Sequence, residues 1–254
     1  MRVVVCRSRK VVAEGPLTGV LWIHGGGYAM GLPEVDVVFA DLLCGDGSCV
    51  MVLPDYTRSV EAPYPAALMD CHLALSWMAE NAEQLGIRRD QLFVGGESAG
   101  GGLTAALSLY ERDEGGVDVA FQMPLYPMID DRGITASSRG NDAPVWNSAS
   151  NGFAWDLYLK GLGDEVSAFA APARATDLTG LPPTCTYVGT LEPFHDETMD
   201  FARRLREAGV PTFTREYEGC YHAFDLVALR SRVAVAAHRF LLETFRFAQE
   251  NYVS

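Results

Sequence analysis

Two spacings of apolar residues take turns along this chain. Apolar runs at 2–6, 18–23, 49–54, 92–96, 120–127, 183–189 and 212–217 read as strands, and 49–54 is continuous enough to be covered on both faces. Between them, apolar positions recur every three or four residues, the spacing of a helix with one buried face. The clearest case is Leu68, Cys71, Leu75, Met78, Ala82 and Leu85, closed by Gly86. Helices are also predicted over 35–43, from Ala99 onward, over 153–162 and 197–209, and through Phe240 and Phe245.

Seven strands separated by helical stretches imply βαβ units, hence an α/β fold with a mainly parallel sheet and helices on both faces. The period is lost from 130 to 181, where Gly, Ser, Asn and Pro alternate with isolated aromatics. A segment of that length is expected to be a lid or binding insertion on a single domain spanning 1–254. The strand at 212–217 is expected at a sheet edge, where its backbone offers a pairing surface to a second copy and hence a homodimer.

Composition narrows the function classes. With 254 residues, 48% of them hydrophobic, the chain can bury a large core. Its 33 acidic against 20 basic residues give a formal charge of -13, which works against nucleic acid and anionic membranes as partners. Six cysteines (Cys6, Cys44, Cys49, Cys71, Cys185, Cys220) lack C-x-x-C spacing and mostly fall in apolar runs, the setting of buried free thiols. The first apolar run is too short for a signal peptide, and nothing approaches the roughly 18 apolar residues of a membrane span. A soluble cytoplasmic protein is expected.

The candidate chemistry sits at strand ends. After the strand at 92–96 comes Gly96-Glu97-Ser98-Ala99-Gly100, the G-x-S-x-G pattern that holds a serine on a sharp strand-to-helix turn. A serine hydroxyl needs a base, and the base needs an acid to fix its tautomer. Of five histidines, His222 alone stands in a loop between the last strand and the final helix. The acid is expected between the two in sequence: Glu192 fits best, Asp196 is the alternative, and Asp130 and Asp131 are more simply read as turn residues. Backbone N–H groups at His24-Gly25-Gly26-Gly27, together with that of Ala99, are placed to hold an oxyanion. Neither a phosphate loop, a dinucleotide fingerprint nor a metal-ligand spacing is present, so no cofactor and no metal are expected.

These residues resemble the hormone-sensitive-lipase branch of the α/β-hydrolase family, bacterial esterases that include acetyl esterases. The similarity rests on HGGG at 24–27, DY at 55–56, PYPAALMD at 63–70, GESAGG at 96–101, LYPMID at 125–130, LEPFHDE at 191–197 and YHAF at 221–224. It implies Ser98 as nucleophile, His222 as base, the position of Glu192 as acid, and Gly26, Gly27 and Ala99 as oxyanion donors. Three departures stand out. Glu192-Pro193-Phe194-His195 replaces the usual aspartate followed by Pro-Leu-Arg, and Ala223 replaces the glycine of His-Gly-Phe. Few residues precede His24, so the family's N-terminal cap is reduced or absent; either the chain starts further upstream, or 130–181 forms most of the lid. The implied activity is a serine carboxylesterase on small acetyl-type esters. An amidase or peptidase using the same groups, or a non-catalytic small-molecule receptor, are the other readings.

Overall fold

The computed structural model describes residues 1–9, 15–163 and 165–254. Among the described residues, seven strands form one sheet: β1 Arg2–Arg7, β2 Leu17–Ile23, β3 Cys49–Asp55, β4 Ile87–Glu97, β5 Phe121–Leu125, β6 Thr184–Gly189 and β7 Thr212–Tyr217. They lie in the order β1-β3-β2-β4-β5-β6-β7. Only β1 runs antiparallel, against β3; every other pairing is parallel. The chain thus winds outward from β2 in both directions, and β7 is an edge, as its sequence predicts.

Residue parity within the strands builds the two faces. Leu21, Ile23, Val50, Val52, Leu92 and Val94 point into one core, whereas Val20, Trp22, Met51, Leu53 and Phe93 point into the other. Successive strand side chains alternate sides, so continuous apolar runs are what a doubly covered sheet requires. The helices are α1 Val37–Cys44, α2 Ala66–Glu80, α3 Ala82–Leu85, α4 Ala99–Glu114, α5 Ser148–Tyr158, α6 His195–Glu207, α7 Phe224–Val227 and α8 Arg232–Asn251. Leu68, Cys71, Leu75 and Met78 of α2 cover the first face, and Phe39 and Leu43 of α1 with Leu241 and Phe245 of α8 cover the second. Each such side chain contributes about 1.5–3 kcal/mol when buried.

Two expectations need correction. The helix predicted to run unbroken to Leu85 is divided at Asn81, whose backbone N–H and side-chain amide both donate to the Trp77 carbonyl, at 3.0 and 2.9 Å, and so end α2. Cys44 and Cys49 are joined in a disulfide, not free. The turn from α1 back into β3 returns the chain within five residues and brings their Cα atoms to 4.8 Å. Cys6, Cys71, Cys185 and Cys220 are free thiols, and the first of these is only half-buried. No helix among the described residues is long and apolar enough to cross a membrane.

Between β5 and β6, the segment 130–181 contains α5 and a short 3-10 turn, Pro172–Arg174. It is fixed to the body of the protein by packing and by charge. Tyr158 stacks on Tyr28 with ring centroids 3.9 Å apart, and Trp155 and Ala154 join the first core. Arg174 pairs with Asp131 at 2.7 Å, and Arg204 of α6 donates to the carbonyls of Ala173 and Ala175.

Candidate active site

Ser98 is the single residue between β4 and α4. Its backbone sits at φ +58°, ψ −121°, a strained conformation for a residue with a side chain. The surroundings enforce it: the Ser98 N–H donates to the Leu125 carbonyl at 3.0 Å, and its own carbonyl accepts from Gly102 and Met128. The turn is this tight because Gly100 lies against the Ile23 carbonyl, where any Cβ would collide with backbone. The hydroxyl is thereby raised at the carboxyl ends of β2, β4 and β5, the rim where doubly wound sheets gather their ligands.

His222 reaches the same rim from the loop after β7. The Ser98 hydroxyl lies 2.8 Å from His222 Nε2, and His222 Nδ1 lies 2.5 Å from Glu192 Oε2. The second carboxylate oxygen of Glu192 accepts the Gly189 N–H at 3.0 Å, which anchors Glu192 at the end of β6. Both Glu192 and His222 are buried, at 0% and 3% exposure, so water does not compete for these bonds. Tyr126 and Phe194 stand edge-on to the imidazole, each with its ring centroid 5.1 Å away, and limit its rotation.

The other candidate acids are elsewhere. Asp196 lies in the first turn of α6 and faces away from His222; it binds His195 at 2.9 Å and accepts the Ser137 N–H at 2.9 Å. Asp130 pairs with Arg132 at 2.7 Å, and Asp131 is occupied by Arg174. The stretch carrying Glu192 is also held from outside by the 130–181 segment. Asn141 donates to the Leu191 carbonyl at 3.1 Å, and Ser137 Oγ donates to the Pro193 carbonyl at 2.9 Å.

The glycine turn after β2 completes the rim. Gly26 and Gly27 have φ of +113° and +58°, and the Gly26 carbonyl accepts from both Ala29 and Met30, closing the turn. Among the described residues, neither the Gly26 nor the Gly27 N–H has an acceptor, while that of Ala99 heads α4. Gly25 is tethered differently: its N–H donates to Glu97 Oε1 at 2.6 Å. His24 lies outside the line from Ser98 through His222 to Glu192, with its Nδ1 2.8 Å from the Gly25 carbonyl. Its ring stacks on Tyr56 at 4.2 Å, and burial holds its imidazole below the usual value, hence neutral.

A model of the alpha/beta hydrolase fold family matches residues 20–226, the span that carries all of these side chains. The chain belongs to that family. Among similar α/β-hydrolases, esterase LipI of Mycobacterium tuberculosis is 32% identical over 227 residues, 84% of this chain and 66% of the relative. An arylesterase of Saccharolobus solfataricus is 30% identical over 209 residues, 81% of this chain and 67% of the relative. The chain therefore spans about two thirds of the length of these relatives. A solved structure described as bacterial heroin esterase superposes with a TM-score of 0.90 at 35% identity, covering 98% of this chain and 84% of that one.

Beneath the rim, this α/β-hydrolase carries buried polar groups that motif reading does not find. The Glu97 carboxyl, already holding Gly25, meets that of Asp36; burial first, then the neighbouring carboxyl, hold Glu97 well above the usual range. Burial likewise pushes Asp36 up to about 6, against the opposing bond from Trp22 Nε1 at 3.1 Å. Asp225, three residues beyond His222, accepts the Tyr187 hydroxyl at 2.6 Å and has His238 Nε2 at 3.6 Å from the same oxygen. The available signal is an acidic residue with apolar neighbours on both sides, as in Val35-Asp36-Val37 and Phe224-Asp225-Leu226.

Proposed function

We propose that this chain is a serine carboxylesterase that hydrolyses short-chain, acetyl-type esters through an acyl-enzyme. The observation that carries the reading is the continuous hydrogen-bonded line from Ser98 Oγ through His222 to Glu192, at 2.8 and 2.5 Å. The esterases LipI and heroin esterase, and the arylesterase, support the same reaction class.

In this reading Ser98 Oγ attacks the ester carbonyl carbon as its proton passes to His222 Nε2. Glu192 stabilises the imidazolium through Nδ1. The carbonyl oxygen, now an oxyanion, takes the N–H groups of Gly26, Gly27 and Ala99, which need no reorganisation because the turn already presents them. Collapse breaks the bond to the leaving oxygen, which leaves with the proton from Nε2. Water then attacks the acyl carbon while giving a proton to His222 Nε2, and collapse breaks the bond to Ser98 Oγ, which takes that proton back as the carboxylic acid leaves. Short acyl groups are favoured by the recessed serine, itself only 6% exposed, and by the 130–181 segment, which acts as the lid.

Hydrolysis of p-nitrophenyl esters from acetyl to octanoyl tests the reading. Activity is expected to be highest on acetate and butyrate, and Ser98→Ala is expected to lower kcat by about a thousandfold or more with unchanged circular dichroism. Near-full activity of Ser98→Ala overturns the nucleophile, and a profile rising with acyl length overturns the short-chain assignment.

A further inference from the structure

We propose that the indole of Trp146 is the wall of the leaving-group pocket and selects esters of flat, aromatic alcohols. This rests on the esterase reading above, because that reading fixes where the departing oxygen lies.

Trp146 comes from the 130–181 segment, yet its ring lies between the glycine turn after β2 and His222. A Cβ placed on Gly27 would collide with the indole edge, and the ring centroid lies 6.3 Å from that of His222, tilted by 44°. The indole thus reaches from the oxyanion turn to the base. Of the three groups on the attacked carbon, the oxyanion points to the Gly26 and Gly27 amides and the leaving oxygen must come within hydrogen-bond reach of His222 Nε2. The indole borders both Gly27 and His222, and in this proposal the alcohol lies on its side and the acyl chain on the other. The alcohol attached to the leaving oxygen runs along the indole face, and an aromatic alcohol gains a ring contact there that an alkyl alcohol does not.

The backbone that presents this ring is unusual. Val145, a β-branched residue, has φ +72°, and the Trp146 N–H closes back on the Pro144 carbonyl at 2.9 Å in a three-residue γ-turn. Hydrogen bonds on both sides keep the turn in place. The Asn141 N–H donates to Ser148 Oγ at 2.8 Å, and that hydroxyl donates to the Ser138 carbonyl at 2.6 Å. Strain of this kind persists where the surroundings over-determine it and clusters at ligand clamps. Val145 itself is 54% exposed and contributes to neither core, so its conformation serves the residue that follows.

The test compares phenyl acetate with ethyl acetate, and acetate with butyrate as p-nitrophenyl esters, for the wild-type chain, Trp146→Leu and Trp146→Phe. Leucine keeps bulk without the ring, and phenylalanine restores a ring. The ratio of kcat/KM for phenyl over ethyl acetate is expected to fall roughly three- to tenfold in Trp146→Leu, the size of one aromatic pair, and to recover in Trp146→Phe. The acetate-to-butyrate ratio is expected to stay within about twofold, since the acyl group faces away from the ring. An unchanged aryl-to-alkyl ratio overturns the proposal, as does a change confined to the acyl ratio, which would put the indole on the acyl side. If leucine prevents folding, the comparison of Trp146→Phe with Trp146→Met decides in the same way. A wild-type chain that hydrolyses none of these esters overturns the esterase reading instead.

Discussion

Glu192 is joined to His222 by a 2.5 Å hydrogen bond, although four residues further on Asp196 offers a carboxylate on the same loop and helix start. The difference is one of direction. Glu192 is turned inward by the Gly189 N–H, whereas Asp196 is turned outward by His195 and Ser137.

Glu192→Gln is therefore expected to lower kcat by about 10²–10⁴ on p-nitrophenyl acetate, because the amide leaves the imidazolium without its stabilising charge. Asp196→Asn is expected to cost less than about tenfold. Steady-state kinetics on both variants check this, and the reverse ranking would remove Glu192 from the relay.

Gly27 and Trp146 are expected to be energetically coupled. Gly27→Ala drives a methyl into the indole edge, and overpacking of this kind costs about 1–3 kcal/mol. Removing the ring in the double variant Gly27→Ala, Trp146→Ala should return part of that loss. Urea denaturation of the four chains measures the coupling, and strict additivity would contradict the contact.

The Asp36 and Glu97 pair is expected to make stability fall as pH rises. Burial holds both carboxyls above their unfolded values, Asp36 at about 6 and Glu97 well above its usual range with the neighbouring Asp36 adding to the effect, so the folded state binds more protons than the unfolded one in that range. The stabilisation is complete below the unfolded carboxylate range near pH 4 and is lost as pH passes about 6, where the Asp225 charge adds to the repulsion. Melting temperatures from pH 5 to 8 should decline more steeply for the wild-type chain than for Asp36→Asn, whose amide oxygen can still accept from Trp22. Parallel curves would show that the pair does not titrate.

Tyr187→Phe removes the 2.6 Å hydrogen bond to the wholly buried Asp225. A stability loss of about 1–3 kcal/mol is expected, the cost of an abandoned buried acceptor. Because Asp225 follows His222 by three residues, kcat should fall along with it. Denaturation and kinetics on one preparation check both, and a neutral variant would leave the α7 network without a role.

What the sequence makes legible is what is local. Strand parity, the G-x-S-x-G turn, the HGGG turn and a loop histidine are each read within a few residues, and the shared rim follows because all lie at strand carboxyl ends. Ser98, the 24–27 turn and His222 are legible in this way, whereas the preference for Glu192 over Asp196 rests on chain order and on the family resemblance. Other features depend on what meets across the fold. Asn81 breaks a well-spaced helix through its own side chain, and Cys44 meets Cys49 only because α1 turns straight back into β3. Trp146 sits in an aperiodic stretch, and nothing in its neighbours announces a γ-turn aimed at Gly27. Asp36 and Asp225 read as single acids in short irregular pieces; their importance comes from the burial and the partners that the tertiary structure supplies.

The bonds from Asn141 to Leu191 and from Ser137 to Pro193 mean that the 130–181 segment, the lid in the proposed reading, also grips the backbone on either side of Glu192. On that reading, substrate range and reaction rate are not separately adjustable. Exchanging the 130–181 segment for that of a relative would transplant a new entrance and, at the same time, loosen the acid. Recombination that keeps residues 137–141 with 189–196 as one block would preserve function where a cut between them would not.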